Sequence, residues 1–238
     1  MKQRLLLVVL TLCLCCIQVN AQPKSVPEDS RELKVGKDGF EWYRVCKDGK
    51  YGVEDKDGKI IIPCEFQKIR YRSSVKIGSS YTCAGFETHA GGSKGLYSIE
   101  GKCIIPNTRG YTRIVDYTQE DRPEIGTYYG CDYDNGVALC NAKGQEVCRF
   151  DGYSILLPMY EKGKFFYMML KDMKWGVMDG GGRIIIEPFY KSLDIDKDGN
   201  FRARNNPSQI LGNLSTITTT RNPFANNPLI LSKISKIE

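Results

Sequence analysis

The stretch Lys174 to Tyr190, KWGVMDGGGRIIIEPFY, recurs upstream in degraded copies, and that recurrence constrains the fold more than any other feature. Trp175 and Val177 alternate with small or polar residues, Gly180 to Gly182 reverse the chain, and Ile184 to Ile186 are β-branched, which reads as a β-hairpin. Lys50 to Phe66, KYGVEDKDGKIIIPCEF, keeps the aromatic-Gly-Val start, and Gly52 stands six residues before Gly58 as Gly176 stands before Gly182. Lys94 to Pro106, KGLYSIEGKCIIP, loses the aromatic but keeps the interval from Gly95 to Gly101 and the Ile-Ile-Pro. Asn135 to Val147, NGVALCNAKGQEV, has two extra residues before its turn glycine Gly144 and no isoleucine triplet. The anchor glycines Gly52, Gly95, Gly136 and Gly176 are 43, 41 and 40 residues apart. A near-constant period of this size means units that bury a core only by stacking on their neighbours.

Each unit gains a strand upstream of its hairpin: Phe40 to Cys46 precedes Lys47 to Lys50, and Lys171 to Lys174 holds the same place in the last copy. Phe40 and Trp42 share one face while Glu41, Tyr43 and Val45 share the other, so both faces are partly apolar and the strand reads as covered on both sides. Acidic-Gly pairs such as Asp48-Gly49, Asp57-Gly58 and Asp198-Gly199 mark the reversals, since primed hairpin turns need positive φ. The expected fold is therefore all-β: about four tandem three-stranded hairpin or meander repeats over residues 39–204, in a solenoid-like or propeller-like array. Tyr51, Gly52, Gly58, Gly95, Gly101, Gly136, Trp175, Gly176 and Gly182 are its structural signature, with Tyr51 and Trp175 packed between repeats.

KWGVMD and KYGVEDKDGKIIIP resemble the tandem WG, or KWG, repeats of bacterial proteins, and the resemblance covers roughly residues 40 to 205. It implies a non-catalytic β-repeat scaffold, often on exported proteins, and brings no catalytic residues with it.

Met1 to Ala21 has Lys2 and Arg4, an apolar run from Leu5 to Ile17, and Val19-Asn20-Ala21, the pattern of a secretory signal peptide cleaved after Ala21. The run is shorter than the ~20 residues that span a bilayer, and Leu12, Leu14 and Cys15 before Cys13, Cys15 and Cys16 are not the small residues lipid attachment requires. Removing Lys2 and Arg4 from the 34 basic residues leaves 32 against 28 acids, a net +4 with interspersed signs, which gives no footprint for nucleic acid. Seven cysteines remain: Cys46, Cys64, Cys83, Cys103, Cys131, Cys140 and Cys148. None forms a CxxC pair, so they read as small buried hydrophobes, with one or two disulfides the alternative in an exported chain. Residues 22–38 are polar and read as a leader or linker, and 205–238, rich in Asn, Thr, Ser and Pro, as a partly disordered tail.

Signals for chemistry are few. His89 lies in HAGGSKG beside Ser93 with no nucleophile elbow. Asp194, Asp196 and Asp198 with Gly199 form the first half of a calcium loop, but its twelfth position is Asn205 rather than glutamate, so the stretch reads as an acidic hairpin turn, with calcium the alternative. No catalytic group and no cofactor is expected. The polar segments Glu87 to Ser93 and Asp116 to Gly126 are candidate contact loops. These readings describe an exported scaffold, periplasmic, cell-surface or secreted, that binds a protein, peptide or glycan partner. The alternatives are a glycan-active envelope enzyme with two carboxylates across a groove and a purely structural envelope component.

Overall fold

The computed structural model describes residues 29–74, 76–77, 80–81, 84–119 and 125–224. The expected signal peptide, part of the leader, Cys83, residues 120–124 of the second contact loop and the end of the tail lie outside them. The described chain is strands and turns, with two single-turn 3₁₀ helices and no α-helix.

Five antiparallel sheets follow one another in chain order. The first is a meander of β1 (Ser30–Val35), β2 (Glu41–Lys47), β3 (Lys50–Glu54) and β4 (Ile60–Phe66). The second joins β5 (Lys68–Arg72) to β8 (Gly85–Ala90), β9 (Ser93–Tyr97) and β10 (Cys103–Ile105), while β6 (Lys76–Ile77) and β7 (Ser80–Tyr81) leave it to extend the third. The third runs through β11 (Arg113–Gln119), β12 (Thr127–Tyr133), β13 (Gly136–Asn141) and β14 (Glu146–Asp151). The fourth is β15 (Ile155–Glu161), β16 (Lys164–Lys171), β17 (Lys174–Asp179) and β18 (Ile184–Tyr190), and the fifth β19 (Leu193–Ile195), β20 (Asn200–Ala203) and β21 (Asn206–Asn213). The tandem antiparallel meanders that the repeats predict are thus present, with one strand more per full unit than the repeats alone mark out.

Two stretches set aside as linker and tail are part of the sheets. Polar β1 pairs with β2 along its whole length, where Arg31 stacks over the Tyr43 ring and bonds Glu54. An edge strand needs backbone partners more than an apolar face. Likewise β21 pairs with β20, and Leu214, Ile217 and Phe224 are buried beyond it.

The register explains the motif. Tyr51 pairs with Phe66 but Val53 with Ile62, and Trp175 pairs with Tyr190 but Val177 with Ile186. In each unit the outer strand bulges opposite the motif glycine, at Pro63 in one and Pro188 in the other, and proline suits a bulge because it has no N–H to leave unpaired. The bulge presses backbone onto the glycine: a Cβ on Gly52 would lie 2.6 Å from the Ile62 carbonyl oxygen, and one on Gly176 2.5 Å from that of Ile186. In the fourth copy this place belongs to Ala138 rather than Gly136. Ala138 pairs with Cys131 seven residues earlier, as Gly52 pairs with Val45, Gly95 with Thr88 and Gly176 with Met169. The two extra residues before Gly144 vanish when counted from Ala138, and Gly136 instead pairs with Tyr133 at the preceding hairpin.

Between each sheet and the next lies one apolar core, so strand residues alternate between two cores. In β16, Phe165, Tyr167 and Met169 join Tyr128, Val137 and Leu139 of the third sheet, while Phe166 and Met168 join Leu193 and Phe201 of the fifth. Trp42, Val53, Ile62, Ile69 and Phe86 fill the first interval, and Leu96, Ile105, Tyr111, Ile114 and Tyr129 the second. Turn glycines tighten two of these joints. Gly101 and Gly144 have φ of 84° and 75°, and a Cβ there would lie 2.1 Å from the Ile61 carbonyl oxygen and 1.8 Å from that of Ile104, each in the preceding unit. Gly58 makes the same turn in the first unit and meets nothing.

Candidate functional site

Trp175 is not part of a closed core. It packs half-buried at the margin of the interval between the fourth and fifth sheets, as Tyr51 does in the first interval. The difference from expectation has a geometric cause: the motif aromatic follows the end of a two-residue turn, so it stands at the rim of the sheet, where the neighbouring sheet covers it on one side only. At that rim, between the fourth sheet and the start of the fifth, lies an open cleft of 570 Å³. Leu157, Pro158 and Met159 of the edge strand β15, Met168, Trp175 and Leu193 give it apolar walls, and Lys191 and Arg204 stand among its polar lining. The volume suits a side chain or small ligand. Unbranched methionine beside a partly covered indole makes an adaptable apolar surface.

The charges around it are ordered. Arg204 Nε and Nη2 each donate to an Asp194 carboxylate oxygen at 2.9 Å, and this bond holds the Asp194 carboxyl below its usual pKa. Among the described residues no aspartate or glutamate lines the cleft. A second cleft, of 450 Å³, lies by Trp42 and Tyr71 with Lys34, Arg44 and Arg70, but Lys34 and Arg44 are already bonded to Glu32.

The remaining candidates are accounted for by the sheets. Asp196 Oδ1 accepts from the Asp198 and Asn200 amides and Oδ2 from Arg202, a bond that leads in holding the Asp196 carboxyl well below the ordinary carboxylate range. The same turn recurs at Asp55, Asn141 and Asp179, each accepting from the amides two and four residues on. The acidic stretch therefore supplies a hairpin between β19 and β20. His89 Nε2 lies 2.9 Å from Glu87 Oε1, which also receives Lys94 Nζ at 3.1 Å. Glu87 to Ser93 is not a projecting loop: it belongs to β8 and β9 with only Gly91-Gly92 as the turn, and Glu87 is buried. Asp116 is likewise a buried residue of β11, bonded to Arg72. Polar residues of these stretches look like loop in sequence because Glu87 and Asp116 are neutralised in part by Lys94 and Arg72, which lie on other strands.

Among the described cysteines none is in a disulfide. Cys46, Cys131 and Cys140 are buried, Cys64 and Cys148 half-buried and Cys103 exposed. The sequence gives no warning that Cys131 and Cys140 face each other, with sulfurs 3.9 Å apart, because the pairing follows from the register around Ala138.

No curated protein and no solved structure matches the chain. Residues 51–73, from the motif aromatic through the bulge and into β5, match the family described as WG containing repeat. That match falls on one of the bulged hairpins just described, so the chain carries a WG-type repeat at residues 51–73.

Proposed function

We propose that this β-repeat module is exported and holds a partner protein or peptide, without turnover, by taking an apolar side chain into the cleft beside Trp175. The observation that carries the reading is the cleft at which half-buried Trp175 and Met159 stand beside the core residue Met168 at the rim of the fourth and fifth sheets. Exposed apolar concavities with a polar rim are what recognition requires. A lining without a carboxylate favours binding over glycan hydrolysis, which needs two acids facing one bond. Export is supported by the tripartite pattern of Met1 to Ala21.

The chain has two tryptophans, Trp42 buried and Trp175 half-buried, so a Trp42→Phe variant reports on the cleft alone. Peptides selected from a displayed library against the folded chain should quench or shift the Trp175 fluorescence of this variant on titration. They should lose affinity for Met159→Lys, whose melting temperature should stay near the parent's. Selected peptides that bind Met159→Lys as tightly as the parent would place recognition elsewhere, and hydrolysis of an envelope glycan by the folded chain would displace the reading.

A further inference from the structure

In β12 and β13, Cys131 pairs with Ala138 and Tyr129 with Cys140, so the two cysteines are diagonal neighbours on one face of the third sheet. Both are buried in the core shared with the second sheet. Their sulfurs are 3.9 Å apart, and Cys140 Sγ also lies 3.7 Å from the Tyr111 hydroxyl and 4.0 Å from Arg109 Nη1. Tyr111 in turn bonds Glu146, and Arg149 bonds the same carboxylate. Cys140 thus sits at the inner end of a polar path, Arg109 and Glu146 being only partly covered. Cys131 Sγ and Arg109 Nη1 donate to that sulfur, and a guanidinium beside a thiol favours thiolate. Donation by Cys131, aided by the Arg109 charge and opposed by burial, lowers the pKa of Cys140, and the same bond raises that of Cys131.

We propose that Cys140 and Cys131 are a peroxide-reactive thiol pair, Cys140 the nucleophile and Cys131 the resolving thiol. The Cys140 thiolate attacks a small hydroperoxide, the O–O bond breaks, and one oxygen stays on Cys140 as sulfenic acid. The other oxygen takes a proton and leaves as water or an alcohol. The Cys131 thiol then displaces the sulfenic oxygen, which leaves as water, and an S–S bond joins the two strands. Peroxide is oxidant and the two thiols together are reductant, so no further reactant is needed. Diagonal neighbours stand about 7–8 Å apart at Cα, at the long edge of what a disulfide spans. Closing the bond therefore pulls β12 and β13 together, and a dithiol reductant should reopen it readily.

The two cysteines fall in one tryptic peptide, Ile114 to Lys143, because Arg122 precedes proline. The reduced full-length chain is treated with hydrogen peroxide, alkylated in denaturant and digested. The expected product is that peptide short of two hydrogens, with neither cysteine alkylated and both recovered by dithiothreitol. Cys131→Ser should stop at a sulfenic acid on Cys140 that a cyclic dione traps, Cys140→Ser should leave Cys131 alkylated, and Arg109→Gln should slow the reaction. Full alkylation of both cysteines in the folded parent, at a peroxide dose that oxidises exposed Cys103, overturns the proposal, as does equal reactivity of Cys131 in Cys140→Ser. The parent measurement decides even if a variant fails to fold.

Discussion

Gly58 and Gly144 share a turn and a positive φ, yet their surroundings separate two effects that sequence alone merges. Alanine at Gly58 meets open space and carries only the left-handed penalty of about 1–2 kcal/mol. Alanine at Gly144 must also displace the Ile104 backbone, which adds an overpacking cost of about 1–3 kcal/mol. Denaturant melts of the two variants should differ by that second amount, and equal melts would remove the joint. A complementary gain is available at Met173, which holds the place of Gly49 in the turn with φ of 62° and is 80% exposed. Met173→Gly should stabilise the chain by about 1 kcal/mol, since relief of φ strain outweighs the added chain entropy. A lowered melting temperature would show that the turn is not strained.

The same contrast appears in the strands. The bulged hairpins were legible because their glycines and isoleucines are fixed by backbone contact and by the turn, which few residues satisfy. The first strand of each unit was not, since β1, β5 and β11 are set by pairing and by cross-strand charges such as Arg31 with Glu54 and Arg72 with Asp116. Ala138 hid the third sheet's register because a methyl can replace hydrogen where no proline bulge presses on it. The cleft was invisible for a different reason: its walls come from β15, β16, β17 and β19, which meet only when the two sheets stack. Glu87 shows how a buried charge serves its element. Burial raises its pKa, but bonds from His89 and Lys94 more than compensate, so the carboxyl titrates below its ordinary value. A depressed acid contributes stability above its unfolded pKa, about 4.3, and loses it as pH falls through the folded value. Glu87→Gln should flatten the acid limb of the stability profile below about pH 4.5 and leave its shape near neutrality unchanged. An acid limb identical to the parent's would mean that the ion group does not couple to folding.

At the scale of the molecule, stability is the sum of four cores and of the sheets that flank them. The terminal sheets have one core each. Phe201 is fully buried between the fourth and fifth sheets, and Phe201→Ala should cost about 3–5 kcal/mol. Hydrogen exchange should show the loss first as faster exchange in β19 to β21 and the facing β16, with the first sheet unaffected. Uniform acceleration across all five sheets would mean one indivisible cooperative unit.

The glycine joints give the stack a direction. The turns at Gly101 and Gly144 each read a carbonyl of the unit before, so the second unit both reads Ile61 of the first and offers Ile104 to the third. An in-frame copy of the second unit would bring both halves of that joint and could be spliced into the middle of the row. A copy of the first would bring Gly58 shaped for a neighbour but preceded by a polar face with nothing to read. Growth of this protein by gene duplication is therefore open at the second unit, and its length is a count that evolution can change by one.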